Sequence, residues 1–218
     1  MDIKYYNIIM KRVLVIAPHA DDEVLGVGGT IQKYIEKKYE VNVIICCKRK
    51  VDNNIDHINC LNILKVKKIF HLNMKDEKLN EYKNELLKKL EDLYYEIKPN
   101  IIYIPNKNDL NQDHKTVYDV CEVVLRRYQP DSPEMIFSYE TPSSTTQSFK
   151  NNFKINWYES ISKKQLNKKI KAFYQYKNEI RKYPNPRNDK GIKIYAKFRG
   201  MECNSKYSEA FNLIYSKK

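Results

Sequence analysis

Short apolar runs alternate with stretches of helical period along most of this chain, and that alternation restricts its fold more than any other feature. Val13-Leu14-Val15-Ile16-Ala17 is β-branched at three positions and stops at Pro18, as a buried parallel strand entering a loop does. Comparable runs lie at Val41 to Cys47, Lys68 to Leu72, Asn100 to Ile104 and Met135 to Tyr139. Between them, Leu79, Tyr82, Leu86, Leu87, Leu90, Leu93 and Ile97 step by three and four, which predicts one buried helix face. Val117, Val120, Cys121, Val124 and Leu125 do the same after His114, and Leu166, Ile170, Phe173, Lys177 and Ile180 predict a later helix. Strands separated by helices define an α/β fold, Rossmann-like and doubly wound, with a mostly parallel sheet and helices on both faces. The turn-rich stretch from Glu140 to Asn156 and the Pro-Asn-Pro segment at 184–186 read as loops. At 218 residues without an internal repeat, the expectation is a single domain over 1–218.

Composition narrows the class further. An apolar content of 42% is too high for a disordered chain, and five glycines exclude collagen-like or linker-dominated architectures. No apolar run approaches the ~18 residues of a membrane span. The start, Met1-Asp2-Ile3-Lys4-Tyr5-Tyr6, has no continuous apolar region of the secretory kind, so a cytoplasmic location is expected. Five cysteines, odd in number, mostly among apolar neighbours and without C-x-x-C spacing, read as reduced core thiols. The formal charge of +13 is read as a solvated lysine surface scattered along the chain, with weak support for an anionic substrate. No nucleic-acid motif accompanies it, so a nucleic-acid partner is not expected.

The first strand delivers Pro18-His19-Ala20-Asp21-Asp22-Glu23 to the sheet edge where such folds bind ligands. His19 and Asp22 are three apart, a spacing that lets a tight loop turn both side chains onto one ion. Asp21 then points elsewhere, free to take a proton from an attacking water. The competing explanation is helix capping, for which one acid suffices. The glycines Gly26-Val27-Gly28-Gly29 do not complete a dinucleotide loop, because Ile31 stands where the last glycine belongs; they are expected to let a helix approach the sheet.

A two-ligand site is incomplete. His57 and His71 sit among apolar or basic neighbours and read as core or surface histidines, whereas His114 closes Asn108-Asp109-Leu110-Asn111-Gln112-Asp113-His114 directly after the Ile101–Ile104 run. His19, Asp22 and His114 together offer two nitrogens and a carboxylate, with a fourth position open.

These residues resemble the LmbE/PIG-L family of zinc-dependent de-N-acetylases. Pro18-His19-Ala20-Asp21-Asp22-Glu23 is similar to its first motif, (A/P)-H-x-D-D-E. Phe198-Arg199-Gly200 and Tyr207-Ser208-Glu209-Ala210-Phe211 resemble its late R-G and Y-A-E-A-F signature. The resemblance implies one zinc ion per chain held by His19, Asp22 and His114, with Asp21 as general base and Asp113 as a supporting carboxylate. It implies hydrolysis of the N-acetyl group of a GlcNAc-type sugar, free, nucleotide-linked or on a glycoconjugate precursor.

Two positions depart from the family. Asn111 stands where the second motif, H-x-D-H, opens with histidine; it can donate a hydrogen bond to an oxyanion but cannot carry a proton, which leaves Asp21 as the simplest donor to the leaving amine. The family's substrate-gripping arginine has no counterpart in Asp52-Asn53-Asn54-Ile55-Asp56, and Arg49 or Lys48 is expected to replace it. Ser144 and Thr145, in the hydroxyl-rich loop after the fifth run, are further substrate-binding candidates. Two alternatives stay open: a non-haem iron enzyme built on the same triad, and a catalytically impaired sugar-binding relative. Homo-oligomerisation is also left open.

Overall fold

The computed structural model describes residues 10–49, 54–128, 131–149 and 153–217; the readings placed on residues 1–9, on Asp52 and Asn53 and on 150–152 fall outside them. Five strands, β1 (Arg12–Ala17), β2 (Glu40–Lys48), β3 (Lys68–Lys75), β4 (Ile101–Pro105) and β5 (Met135–Tyr139), come from the five apolar runs. They pair in parallel. Two more, β6 (Trp157–Ser160) and β7 (Ser208–Ser216), extend the sheet antiparallel beyond β5, giving the order β3-β2-β1-β4-β5-β7-β6.

The period of two decides which residues meet which layer. Val13 and Val15 of β1 face one core with α1 (Asp22–Glu36), α2 (Asn54–Leu64), α5 (Lys163–Phe173) and α6 (Asp189–Glu202), whereas Leu14 and Ile16 face the other with α3 (Lys83–Ile97) and α4 (Gln112–Val124). Both faces are therefore covered, as the alternation predicts. Tyr103 of β4, Phe137 of β5 and Phe211 of β7 join the parallel and antiparallel parts, with ring centroids 5.0 and 4.9 Å from that of Tyr103; contacts of this kind contribute about 0.5–1.5 kcal/mol each beyond burial. Gly26 lets α1 approach the sheet, since a Cβ there would collide with the ring of Tyr139.

The structure departs from the expected helices in three places. The helix expected from Leu79 opens as a 3-10 turn (Leu79–Tyr82) before α3 begins at Lys83. The helix expected to reach Ile180 ends at Phe173, because the chain turns inward to let buried Tyr176 donate to Glu23 Oε1 at 2.6 Å. Helix α6 was not expected: the residues it buries are Gly191, Ile192, Ala196 and Gly200, mostly too small to register as an apolar face. Among the described residues no helix is long and apolar enough to cross a membrane, and all five cysteines are free thiols.

Candidate metal centre and active site

The strand order reverses between β1 and β4, which opens a crevice at their carboxyl ends. The loop after β1 carries His19, Asp21 and Asp22, and α4, which follows β4, carries Asp113 and His114 in its first turn. Asp22 Oδ2 lies 3.3 Å from His19 Nδ1 and 3.1 Å from His114 Nε2. Such spacings match neighbouring ligands of a tetrahedral ion with bonds of ~2.0–2.1 Å. All three residues are buried, with a donor atom from each within 4.8 Å of the others.

The remaining ring nitrogens face carboxylates, the kind of partner that orients a ligand imidazole. His19 Nε2 lies 3.2 Å from Asp113 Oδ2 and 3.0 Å from Asp76 Oδ1. His114 Nδ1 faces Asp109 Oδ2 at 3.3 Å. Asp109 is itself held by the Ser144 hydroxyl, by Thr145 Oγ1 at 2.6 Å and by the Asn111 N–H at 2.9 Å. Asp113 also accepts from the backbone of Glu77 at 2.8 Å and Leu79 at 3.2 Å, tying α4 to the loop after β3. Burial opposes a charge on His114, yet Asp22 and Asp109 outweigh it and push the imidazole up to about 9. The carboxylates around the two imidazoles therefore favour a cation at that point of the crevice.

Asp21 is arranged differently. It occupies the N-cap position of α1 but makes no capping hydrogen bond with its side chain, so capping does not explain it. Its backbone has φ 112°, a left-handed conformation that costs a non-glycine residue about 1–3 kcal/mol. Its N–H donates to Glu23 Oε2 at 2.9 Å, which holds the turn. The carboxylate is fully buried: Arg187 Nη2 donates to Oδ2, and Oδ1 makes no hydrogen bond, with Arg49 Nη2 3.6 Å away. Glu179 completes a ring of alternating charge, 2.9 Å from Arg187 Nη1 and 3.0 Å from Arg49 Nη1. Burial pushes the Asp21 carboxyl up to about 7 against the pull of Arg187.

The expected site residues thus fall into groups. His19, Asp22, His114, Arg49, Asn111 and Ser144 line one cleft of ≈ 350 Å³. Asn111 caps α4, its Oδ1 accepting from the Asp113 N–H at 2.8 Å. Thr145 is buried and its hydroxyl is taken by Asp109, so both loop hydroxyls orient His114 through that carboxylate. His57 is buried beside His71, with ring centroids 5.2 Å apart. The sequence reading missed Asp76, Asp109 as a partner of His114, and Arg187. Asp109 was the most legible of these, since it lies five residues before His114 in the same acidic loop; Arg187 directly follows the Pro-Asn-Pro loop at 184–186, where nothing in the sequence marks it.

The late signature serves the site from behind. Arg199 grips Glu140, at the end of β5, with Nε at 2.7 Å and Nη2 at 2.8 Å, and the adjoining Thr141 hydroxyl reaches Asp22 Oδ1 at 3.4 Å. Glu209 accepts from the N–H groups of Gly29 (2.9 Å) and Thr30 (2.7 Å) and from Lys169 Nζ (2.6 Å), pinning α1 to β7 and α5.

Fold and site together define an α/β protein with two histidines and a carboxylate converging at the switch point of its sheet. The chain matches the family model of PIG-L, GlcNAc-PI de-N-acetylase, over residues 14–125, and it belongs to that LmbE-like family. It is 25% identical over 179 residues to the uncharacterized deacetylase YaiS of Escherichia coli K12, covering 77% of this chain and 91% of that protein. Its fold is similar to that of the N,N'-diacetylchitobiose deacetylase of Pyrococcus horikoshii complexed with an inhibitor, with a TM-score of 0.77 and 22% identity over 94% of this chain and 84% of that one. It is also similar to GalB, the 4-carboxy-2-hydroxymuconate hydratase of Pseudomonas putida KT2440, with a TM-score of 0.74 and 16% identity over 96% and 98% of the two chains. One fold hosts both a deacetylase and a hydratase, so the reaction must be argued from the site.

Proposed function

We propose that this chain is a zinc-dependent amide hydrolase of one domain, acting in the cytoplasm, that removes the acetyl group from an N-acetylated amino sugar. One observation carries the reading: the convergence of His19, Asp22 and His114, beside an Asp21 whose side chain is spared from capping. The donor set fits zinc, since imidazole and carboxylate are its common ligands and three protein donors leave a position for reactants. When bound, the ion supplies Lewis acidity, activating a water near neutral pH and polarising the amide carbonyl.

The chain's own residues do the rest. Asp21 takes the proton of the attacking water on Oδ1, which makes no hydrogen bond, while Arg187 holds the other carboxylate oxygen and Glu23 holds the backbone turn that carries the side chain. Asn111 has its carbonyl oxygen engaged in the cap, which leaves its amide N–H groups to donate to the oxyanion from the cleft wall. Asp21 then returns the proton to the nitrogen as the C–N bond breaks, releasing acetate and a free amine. Arg49, Arg181 and Arg187 line the same cleft, which favours a sugar carrying phosphate or carboxylate. Acetate release from a panel of free, phosphorylated and nucleotide-linked N-acetylglucosamines by the zinc-loaded protein tests the reading; silence across the panel with one zinc bound per chain overturns it in favour of an impaired sugar-binding relative.

A further inference from the structure

The charge of this chain is unevenly divided. Residues 163–206 hold fourteen Lys and Arg against three Asp and Glu, so +11 of the formal +13 lies in one stretch. The lysines are spread along the sequence as expected, but the acids are not; Lys169, Arg187 and Arg199 are held by Glu209, Asp21 and Glu140, whereas Lys163, Lys164 and Lys171 of α5 and Lys190, Lys193 and Lys197 of α6 are exposed. These helices share one layer of the fold and touch where the Tyr174 hydroxyl meets Asp189 Oδ1 at 3.2 Å.

Helix α6 shows two ridges to solvent. Ile194, Phe198 and Met201, at steps of four and three, are 45%, 48% and 73% exposed. Lys190, Lys193 and Lys197, all exposed, follow on the neighbouring ridge at steps of three and four. Lys193 is paired with Asp189 at 2.8 Å, and Lys190 lies 3.9 Å from the ring centroid of exposed Tyr183. An aliphatic and aromatic ridge left open beside lysines is a costly surface for a chain with no partner.

We propose that the outer face of α6 docks this protein on an anionic lipid bilayer, with Ile194, Phe198 and Met201 entering the headgroup boundary and Lys190 and Lys197 meeting acidic lipids. Charge complementarity and the apolar ridge together select this occupant. Nucleic acid matches the lysines but gives the apolar ridge nothing to bury against. A second copy brings a like-charged face against this one, which repels. The inference stands apart from the chemistry of the cleft.

Vesicle flotation of the full chain tests it, using equimolar phosphatidylglycerol and phosphatidylcholine against phosphatidylcholine alone, at low and high salt. Binding is expected on the acidic vesicles only, weakened by salt. Lys190→Glu and Lys197→Glu should each lower partitioning at least about 5-fold, and Ile194→Ser with Phe198→Ser should lower it further, with thermal melting unchanged in both sets. Acidic vesicles that fail to bind the wild-type chain overturn the proposal, as does binding that both sets of substitutions leave intact. Two other outcomes also overturn it: retention of a DNA duplex in place of vesicles, insensitive to Phe198→Ser, or a dimer in sedimentation that Phe198→Ser dissociates.

Discussion

Arg187 donates to the carboxylate of Asp21 across 166 residues of chain, joining the segment before α6 to the loop after β1. The same guanidinium reaches Glu179, which also holds Arg49. Asp21, in its left-handed turn, is thus fixed at two points, its backbone N–H by Glu23 and its carboxylate by Arg187. Arg187→Gln is expected to lower kcat by roughly 10–100-fold, in the range of lost acid–base assistance. Metal content by atomic absorption should stay unchanged; a variant that loses metal instead would place Arg187 in the metal site's support.

The metal assignment has a graded test. His114→Ala removes a ligand and should leave well under one ion per chain. Asp109→Asn touches only the partner of His114 Nδ1 and should weaken metal affinity by about 10–100-fold, as losses behind a ligand do. Competition with a chromophoric chelator measures both. Equal affinity in wild type and His114→Ala contradicts the assignment.

Asn111 carries two tasks that one substitution separates. Serine caps a helix about as well as asparagine, so Asn111→Ser should shift stability by only about a few tenths of a kcal/mol. It removes the amide donor, and kcat should fall ~100-fold. Paired melting and turnover measurements decide; unaltered turnover would confine Asn111 to the cap.

Glu209 is expected to matter for stability rather than chemistry. Glu209→Ala leaves Lys169 as a buried charge without its carboxylate and removes the side-chain acceptor shared by the Gly29 and Thr30 N–H groups. The cost should be about 3–5 kcal/mol, which for a domain of this size lowers Tm by roughly 10 °C or more. A calorimetric scan that shifts by only a degree or two would contradict that role.

The parallel half of the fold was legible because its strands are continuous apolar runs and its helices bury large residues at regular steps. The antiparallel edge was not: β6 is short and half-exposed, and α6 packs through Gly191, Ala196 and Gly200, which a search for large apolar residues passes over. Within the site, His19, Asp22 and His114 were legible because acids and histidines recur at the ends of two strands. Arg187 was not, since its partner Asp21 lies at the other end of the chain and only the folded loop after α5 brings them together. The hydroxyls of Ser144 and Thr145 both donate to Asp109, and Ser144 also lines the cleft; sequence marks a hydroxyl's presence but not its hydrogen-bond partner.

The most direct test of the central reading is Asp21→Asn, measured for zinc content and for acetate release beside the wild type. The substitution keeps the size of the side chain but leaves an amide that cannot take a proton, and neither His19, Asp22 nor His114 is altered. The expected result is one zinc per chain in both proteins, with acetate released by the wild type and turnover reduced by at least ~100-fold in the variant. A fully metallated Asp21→Asn protein that turns over at the wild-type rate would contradict the assignment of Asp21 as the base.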